Sequence, residues 1–367
     1  MINELHFYYI QVIRGKRTGW LPTLIKGLAW VLSLPYRWVM SLRNWLYDHE
    51  WLRQYDAPVP VVMSIGNLVT GGTGKTPVTK LLAGFFYDDY KIAILSRGYR
   101  SPAEKLRAPV ILSSGKGPLH SAAYAGDEPR LLAENLPKAW VVVGKDRVMS
   151  ANLVAKQGVD LILLDDGMQH RRMARDFEVV VLDAKDPFGQ NYLFPRGLLR
   201  ESPEGLRRAD LVILNHVRDA EDYEDSKKMV EKYTNAPVIG IHYDRWKAMD
   251  LEGNELAPLE GRKVAIFCGI AQPEQFASTV REMGAEIVAR KYYPDHFHYD
   301  VEELSELAAR WKEMGAAMMV CTEKDKVKLP EIHDLLLPVV WIKIQPEVIE
   351  GTDELKAFID KVKAKIA

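Results

Sequence analysis

From residue 61 to residue 216 the chain repeats one texture: a short unbroken apolar run, a polar turn, then apolar residues at helical spacing. The runs are "VVMSIGNL", "KIAILS", "APVILSS", "AWVVVG", "DLILLDDG", "FEVVVLDA" and "ADLVILNH". Continuous Val, Ile and Leu, rather than alternation, suits strands covered on both faces, so a largely parallel sheet with intervening helices is expected. Near residue 240 the texture changes. "IGIHYDRWKAMDLEGNELAPL" alternates around the turn "EGNE" and reads as a two-stranded connector. A second α/β set follows, from "KVAIFCGI" through "VEELSELAARWKEMG" to "PVVWIKI", and "LKAFIDKVKAKI" closes the chain as an amphipathic helix. With "DAPVP" as a linker, the expected segments are 1–56, an α/β domain at 57–238, the connector at 239–260 and a second α/β domain at 261–367.

Ahead of the linker, Trp30, Leu34, Trp38, Leu42 and Trp45 recur at helical spacing and form one aromatic-aliphatic stripe. Composition sharpens this picture. The net charge of −1 over 367 residues hides a basic N-terminus, with Arg14, Lys16, Arg17, Lys26, Arg37 and Arg43 against Glu4 before Asp48. Tryptophan beside Lys and Arg suits a membrane interface, where rings sit at the boundary and cations meet anionic lipid. The plainer alternative is a helix packed by that stripe on the protein's own core. A bilayer span is not expected, because Lys26, Pro35 and Arg37 interrupt the apolar run well short of the roughly 20 residues needed. The run also lies too far in for a signal peptide and lacks a small-residue cleavage site. The two cysteines, Cys268 and Cys321, match no zinc or redox spacing, and no nucleic-acid partner is expected.

"NLVTGGTGKTPVTKLL", residues 67 to 82, follows a strand and opens a helix, the context that gives a P-loop its meaning. Gly71, Gly72, Thr73, Gly74, Lys75 and Thr76 are the expected phosphate cradle. Backbone N–H groups approach the oxygens, Lys75 reaches the terminal phosphates, and the Thr76 hydroxyl meets Mg²⁺. Val69 stands where the pattern wants its first glycine, which implies an entry that does not need glycine's dihedral freedom. Such a loop needs a metal-holding carboxylate at the end of an apolar strand, and "LILLDDGMQHRR" offers Asp165 and Asp166, either of which suits. Gln169 and His170 on the same loop are placed to reach phosphates or acceptor.

Three smaller clusters follow. "AYAGDEPRLL" sets Asp127 in a glycine-bearing turn before a helix, where a capping role is the plain alternative. "YYPDHFHYD" groups Asp295, His296 and His298; two histidines on one strand face lack a third ligand, so zinc is not expected. "TEKDKVKL" brings Glu323, Lys324 and Asp325 to a strand end but carries its lysine one place late for a guanine reader.

In combination and order, "SIGNLVTGGTGKTP", "LSRGYRS", "GDEPRLLA", "VGKDR", "LILLDDGMQHRRMARDFEVVVLD", "FPRGLLRES", "PDHFHY" and "CTEKDKVKL" resemble the tetraacyldisaccharide 4′-kinases, the lipid A 4′-kinases of Gram-negative bacteria. The resemblance covers nearly the whole chain and departs at Met168, where the family often has an aromatic residue. It implies a P-loop NTPase-like α/β/α lobe, a smaller α/β lobe, a two-stranded connector and an N-terminal helix docked on the cytoplasmic face of the inner membrane. It implies transfer of the ATP γ-phosphate, with Mg²⁺, to the 4′-hydroxyl of a tetraacylated disaccharide 1-phosphate. Carried over, Asp127 is the catalytic base and His296 its partner, with Lys75 on the phosphates. Tyr99, Arg147, His170 and Glu201 fall near nucleotide or head group. The competing class is a membrane-recruited P-loop ATPase acting as a switch. Its best-known form carries a lysine where this chain has Thr70.

Overall fold

The computed structural model describes residues 2–270, 272–295, 297–332 and 334–367; His296 lies outside the described residues. In chain order the elements are α1 (Ile2–Ile13), α2 (Trp20–Asp48), β1 (Val61–Gly66), α3 (Lys75–Gly84), β2 (Ile92–Ser96), β3 (Val110–Ser114), α4 (Ala122–Ala125) and α5 (Asp127–Asn135). Then come β4 (Trp140–Val143), α6 (Arg147–Ala155), β5 (Leu161–Asp165), β6 (Phe177–Asp183), β7 (Leu211–Asn215), α7 (Ala220–Val230) and β8 (Val238–Met249). The remainder comprises β9 (Lys263–Cys268), α8 (Pro273–Glu282), β10 (Glu286–Tyr292), α9 (Val301–Glu313), β11 (Met318–Thr322), α10 (Glu323–Lys326), β12 (Val339–Glu350) and α11 (Thr352–Ile366).

Two compact units emerge. The first is Met1–Thr79, Ala155–His242 and Val348–Ala367; the second is Lys80–Val154 and Tyr243–Glu347. In the first unit the strand order is β8-β7-β6-β1-β5, with parallel pairing throughout. Every residue of β1, β5 and β7 is buried, as unbroken apolar runs require of strands covered on both faces. The register places Ile65 opposite Asp165, so the loops leaving β1 and β5 start side by side. Chain ends of adjacent parallel strands are where α/β proteins build ligand sites. Helix α11 returns to this unit, and Phe358 meets Phe177 edge-on with ring centroids 5.6 Å apart.

In the second unit β10-β9-β11-β12 form one run, and β2-β4-β3 another in which β3 is antiparallel to β4. After β8 the chain turns at Asp250, whose carboxylate accepts the Asn254 backbone N–H at 2.7 Å and side-chain amide at 2.9 Å. It returns with a Met249–Glu255 bridge and a hydrogen bond from Leu256 N–H to Ala248 O at 2.8 Å.

Helix α2 has two dissimilar faces. Trp30, Leu34, Trp38, Leu42 and Trp45 remain between 41% and 71% exposed, so the stripe does not pack on the protein's own core. The other face is polar and gripped: the Tyr36 hydroxyl donates to Arg200 O at 2.7 Å, Arg43 donates to Gln169 O, and the Asn44 amide donates to Glu201 Oε2 at 2.8 Å. Among the described residues no helix is long and apolar enough to cross a membrane.

Candidate active site

Beyond β1 the chain stays extended. Thr70 N–H donates to Leu198 O and Arg200 N–H to Leu68 O, both at 2.7 Å, and Val69 forms an antiparallel bridge with Leu199. Val69 is buried among Leu68, Met168 and Leu199. This accounts for the missing glycine: the position is a paired extended residue that fills the core, not a turn. The phosphate-facing part keeps its glycines where they are needed, with φ of +122° at Gly71 and +76° at Gly74. Lys75 then opens α3 with Thr76 beside it, where the N–H groups of a first turn have no intrahelical partner and favour an anion.

Two asparagines fix the loop. The Asn67 amide donates to Thr73 Oγ1 at 2.8 Å and the Asn215 amide to Thr73 O at 2.7 Å, and both asparagines are fully buried. Neither is one of the expected cradle residues. Their signal in the sequence is a polar side chain at the end of an apolar strand, in "SIGN" and "VILN".

Asp165 ends β5 and is buried, while Asp166 turns out with φ of +53°. Lys75 Nζ lies 3.3 Å from Asp166 Oδ1, and Arg200 reaches both Asp166 oxygens at 2.9 Å. Burial works against the Asp166 charge, but Lys75 and Arg200 outweigh it and hold the pKa at about 2. The loop beyond is tied down from both sides. Gln169 donates to Asn67 O and to Glu201 Oε1, each at 2.9 Å. Arg175 donates to the carbonyls of Gly167, His170 and Met173 and pairs with Glu178 at 2.8 Å. Glu201 is 1% exposed and accepts from Asn44, Gln169 and Arg208, so it supports the loop from beneath. Thr76, Asp165 and Asp166 offer a hydroxyl and two carboxylates, the hard oxygen donors that suit Mg²⁺. Asp166 is held ionised as such a ligand must be.

The second unit gathers other motifs. Gly98, at φ +66°, and Gly126, at φ +99°, bring the "RGY" and "GDE" turns together; a Cβ on Gly98 would lie 2.3 Å from Val143 Cγ1 and 2.9 Å from Ala125 O. Asp127 is the first residue of α5 and 5% exposed, whereas Tyr99 stands out at 60%. Arg147 is buried and donates to Gly144 O at 2.7 Å, a contact that braces its own turn.

"TEKD" lies against α5. Lys326 pairs with Glu134 at 2.6 Å, Lys324 reaches Glu128 at 3.8 Å and Asp295 at 3.1 Å, and Lys80 pairs with Glu323 at 2.8 Å. Asp325 is fully buried. It accepts from Gly269 N at 2.9 Å and the Tyr299 hydroxyl at 2.8 Å, hydrogen-bonds the Thr322 hydroxyl at 2.6 Å and pairs with Lys328 at 2.8 Å. Asp325 is therefore an internal anchor and not a base reader. Removing one partner of such a buried pair costs about 3–5 kcal/mol. Burial and the charge of Asp325 keep the Tyr299 phenol protonated, and burial pushes the Cys268 thiol up to about 12.

Comparison with known proteins agrees with this arrangement. The family model described as Tetraacyldisaccharide-1-P 4′-kinase matches residues 25–364. The tetraacyldisaccharide 4′-kinase of Syntrophus aciditrophicus is 41% identical over 334 residues, covering 87% of this chain and 88% of that protein. The enzyme of the same name from Anaeromyxobacter dehalogenans (strain 2CP-C) is 38% identical, covering 94% and 92%. Among solved structures, LpxK from Aquifex aeolicus in complex with ATP superposes with a TM-score of 0.74 at 29% identity, covering 90% of this chain and 97% of that one. The matched residues run from within α2 to α11 and take in the P-loop and the loops beside it, and the chain belongs to the tetraacyldisaccharide-1-P 4′-kinase family.

Proposed function

We propose that the family's reaction is divided here between a cationic cradle that holds the donor and an acidic group that activates the acceptor. The reaction is transfer of the ATP γ-phosphate to the 4′-hydroxyl of tetraacyldisaccharide 1-phosphate, a step of lipid A biosynthesis. The observation that carries this reading is Lys75 at the start of α3, paired at 3.3 Å with an Asp166 kept ionised. Backbone N–H groups from Gly71 to Thr76 cradle the phosphates, and the Lys75 ammonium neutralises charge on the terminal ones. Thr76, Asp165 and Asp166 would hold Mg²⁺, which when bound neutralises charge across the β- and γ-phosphate oxygens. Asp127 accepts the 4′-hydroxyl proton while His296 orients it. The new bond joins the 4′-oxygen to the γ-phosphorus as the bond from that phosphorus to the β–γ bridging oxygen breaks, and ADP departs. A sugar hydroxyl is a weak nucleophile, so positioning supplies most of the rate and the base assists. Gln169 and His170 in the first unit, and Tyr99 in the second, each serve nucleotide or head group.

The exposed stripe of α2 lies at the cytoplasmic face of the inner membrane. Each large side chain it buries contributes about 1.5–3 kcal/mol, and the neighbouring basic residues add attraction to anionic lipid. Acyl chains stay in the bilayer while the sugar is phosphorylated at its surface.

The test is incubation with γ-labelled ATP and either tetraacyldisaccharide 1-phosphate or buffer alone. Label on lipid is expected. Label released as free phosphate at the same rate with or without lipid would make the protein a switch ATPase instead.

A further inference from the structure

Within the second unit, Lys324 is where residues of three separate motifs meet. Its ammonium lies 3.1 Å from Asp295 of "PDHFHY" and 3.8 Å from Glu128 of "GDEP", and its side chain is 22% exposed. Burial opposes its charge, but Glu128, Asp295 and the neighbouring Asp127 outweigh that and push its pKa up. Its backbone is also fixed. The next residue, Asp325, is fully buried and locked to Thr322, Tyr299, Gly269 and Lys328, so α10 presents Lys324 from a rigid mount. The Tyr299 tie anchors the far end of the loop that carries Asp295 and, by sequence, His296 and His298.

Charge explains why a cation is needed there. Asp127, Glu128 and Asp295 bring three carboxylates to one locality, and like charges repel one another unless a cation lies among them. The neighbouring cations face other partners: Lys326 and Arg130 share Glu134, and Lys80 is on Glu323. Lys324 faces this group.

We propose that Lys324 is a positioning residue for phosphoryl transfer, its ammonium bridging Asp295 and Glu128 and so holding the Asp295 loop and the start of α5 in one arrangement. The proposal rests on Asp127 being the acceptor base, a role that needs the carboxylate charged before the hydroxyl arrives.

The experiment compares Lys324→Met, Lys324→Arg and Asp127→Asn in the full chain, with labelled ATP and tetraacyldisaccharide 1-phosphate in mixed micelles. Lys324→Met should lower kcat about tenfold or more while KM for ATP changes less than about twofold. Lys324→Arg should restore most of kcat. If the Met variant does not fold, Lys324→Gln is measured in its place. An unchanged kcat would overturn the proposal. So would a kcat loss that arginine does not rescue, or one matched by an equal change in KM for ATP, since that marks a lysine needed only for folding. Asp127→Asn separates the two claims. Near-normal turnover in that variant defeats the base reading and this proposal with it; loss of turnover there, with Lys324→Met unaffected, removes Lys324 alone.

Discussion

Around the "GTGKT" loop two cations, Lys75 and Arg200, share one carboxylate, Asp166; around the start of α5 one cation, Lys324, reaches two carboxylates, Glu128 and Asp295, with Asp127 near by. The inversion follows the two tasks. A donor cradle must attract a polyphosphate, so positive charge is in excess there and Asp166 serves partly to hold it in place. On the proposed reading the other region takes the proton of the acceptor, and there Lys324 is set among carboxylates. The two regions are also built differently. The cradle is mostly one contiguous segment braced by buried asparagines, whereas the acidic group is assembled from residues 127, 128, 295 and 324.

The harshest way to break the comparison is Lys75→Ala. It removes the cation that meets the phosphates and leaves Asp166 to repel them, so turnover should fall about a thousandfold or more in the labelled-ATP assay. Activity within tenfold of wild type would mean that the cradle is not where charge is neutralised. The apolar face of α2 comes next. Trp30→Ser with Trp38→Ser should lower partitioning onto anionic vesicles by about tenfold or more, with turnover on a short-chain soluble acceptor unchanged. Undiminished sedimentation with vesicles would assign that face another role. The mildest case is Asn215→Ala, which deletes one hydrogen bond to Thr73 and should weaken ATP binding several-fold, as about 1 kcal/mol predicts. The measurement is a nucleotide titration; equal affinity would show the loop to be rigid without that tie. Because the folded pKa of Asp166 is depressed to about 2, its pairs with Lys75 and Arg200 persist above the ordinary carboxylate range and are lost only as pH falls toward that value.

Much of this was legible in sequence, for a physical reason: strands covered on both faces must be unbroken apolar runs, and a phosphate loop is a local structure. "VVMSIG", "LILLD" and "LVILN" accordingly emerge as fully buried parallel strands. What the sequence withheld depends on partners far along the chain. Val69 looked like a defect until its bridge to Leu199, 130 positions on, showed it to be an extended core residue. The stripe of α2 was visible, but only the grip of Tyr36, Arg43 and Asn44 on residues 169, 200 and 201 decides which face turns outward. Glu201 and Arg147, expected near nucleotide or head group, are buried and engaged with neighbours. Polar residues that support a site and those that touch its ligand look alike on a line of letters. Lys324 was legible only as one residue of "TEKD", because its ion pairs exist only once the chain has folded.

The two faces of α2 bear on how this enzyme should be assayed. On the proposed reading, a helix that lies in the lipid surface and also holds the loops of the P-loop unit would confine the catalyst to the plane in which its lipid diffuses. Encounters then occur in two dimensions, and velocity follows the mole fraction of substrate in the surface rather than its bulk concentration. Adding inert lipid at constant substrate should slow turnover, and a longer or shorter bulk dilution at constant surface composition should not.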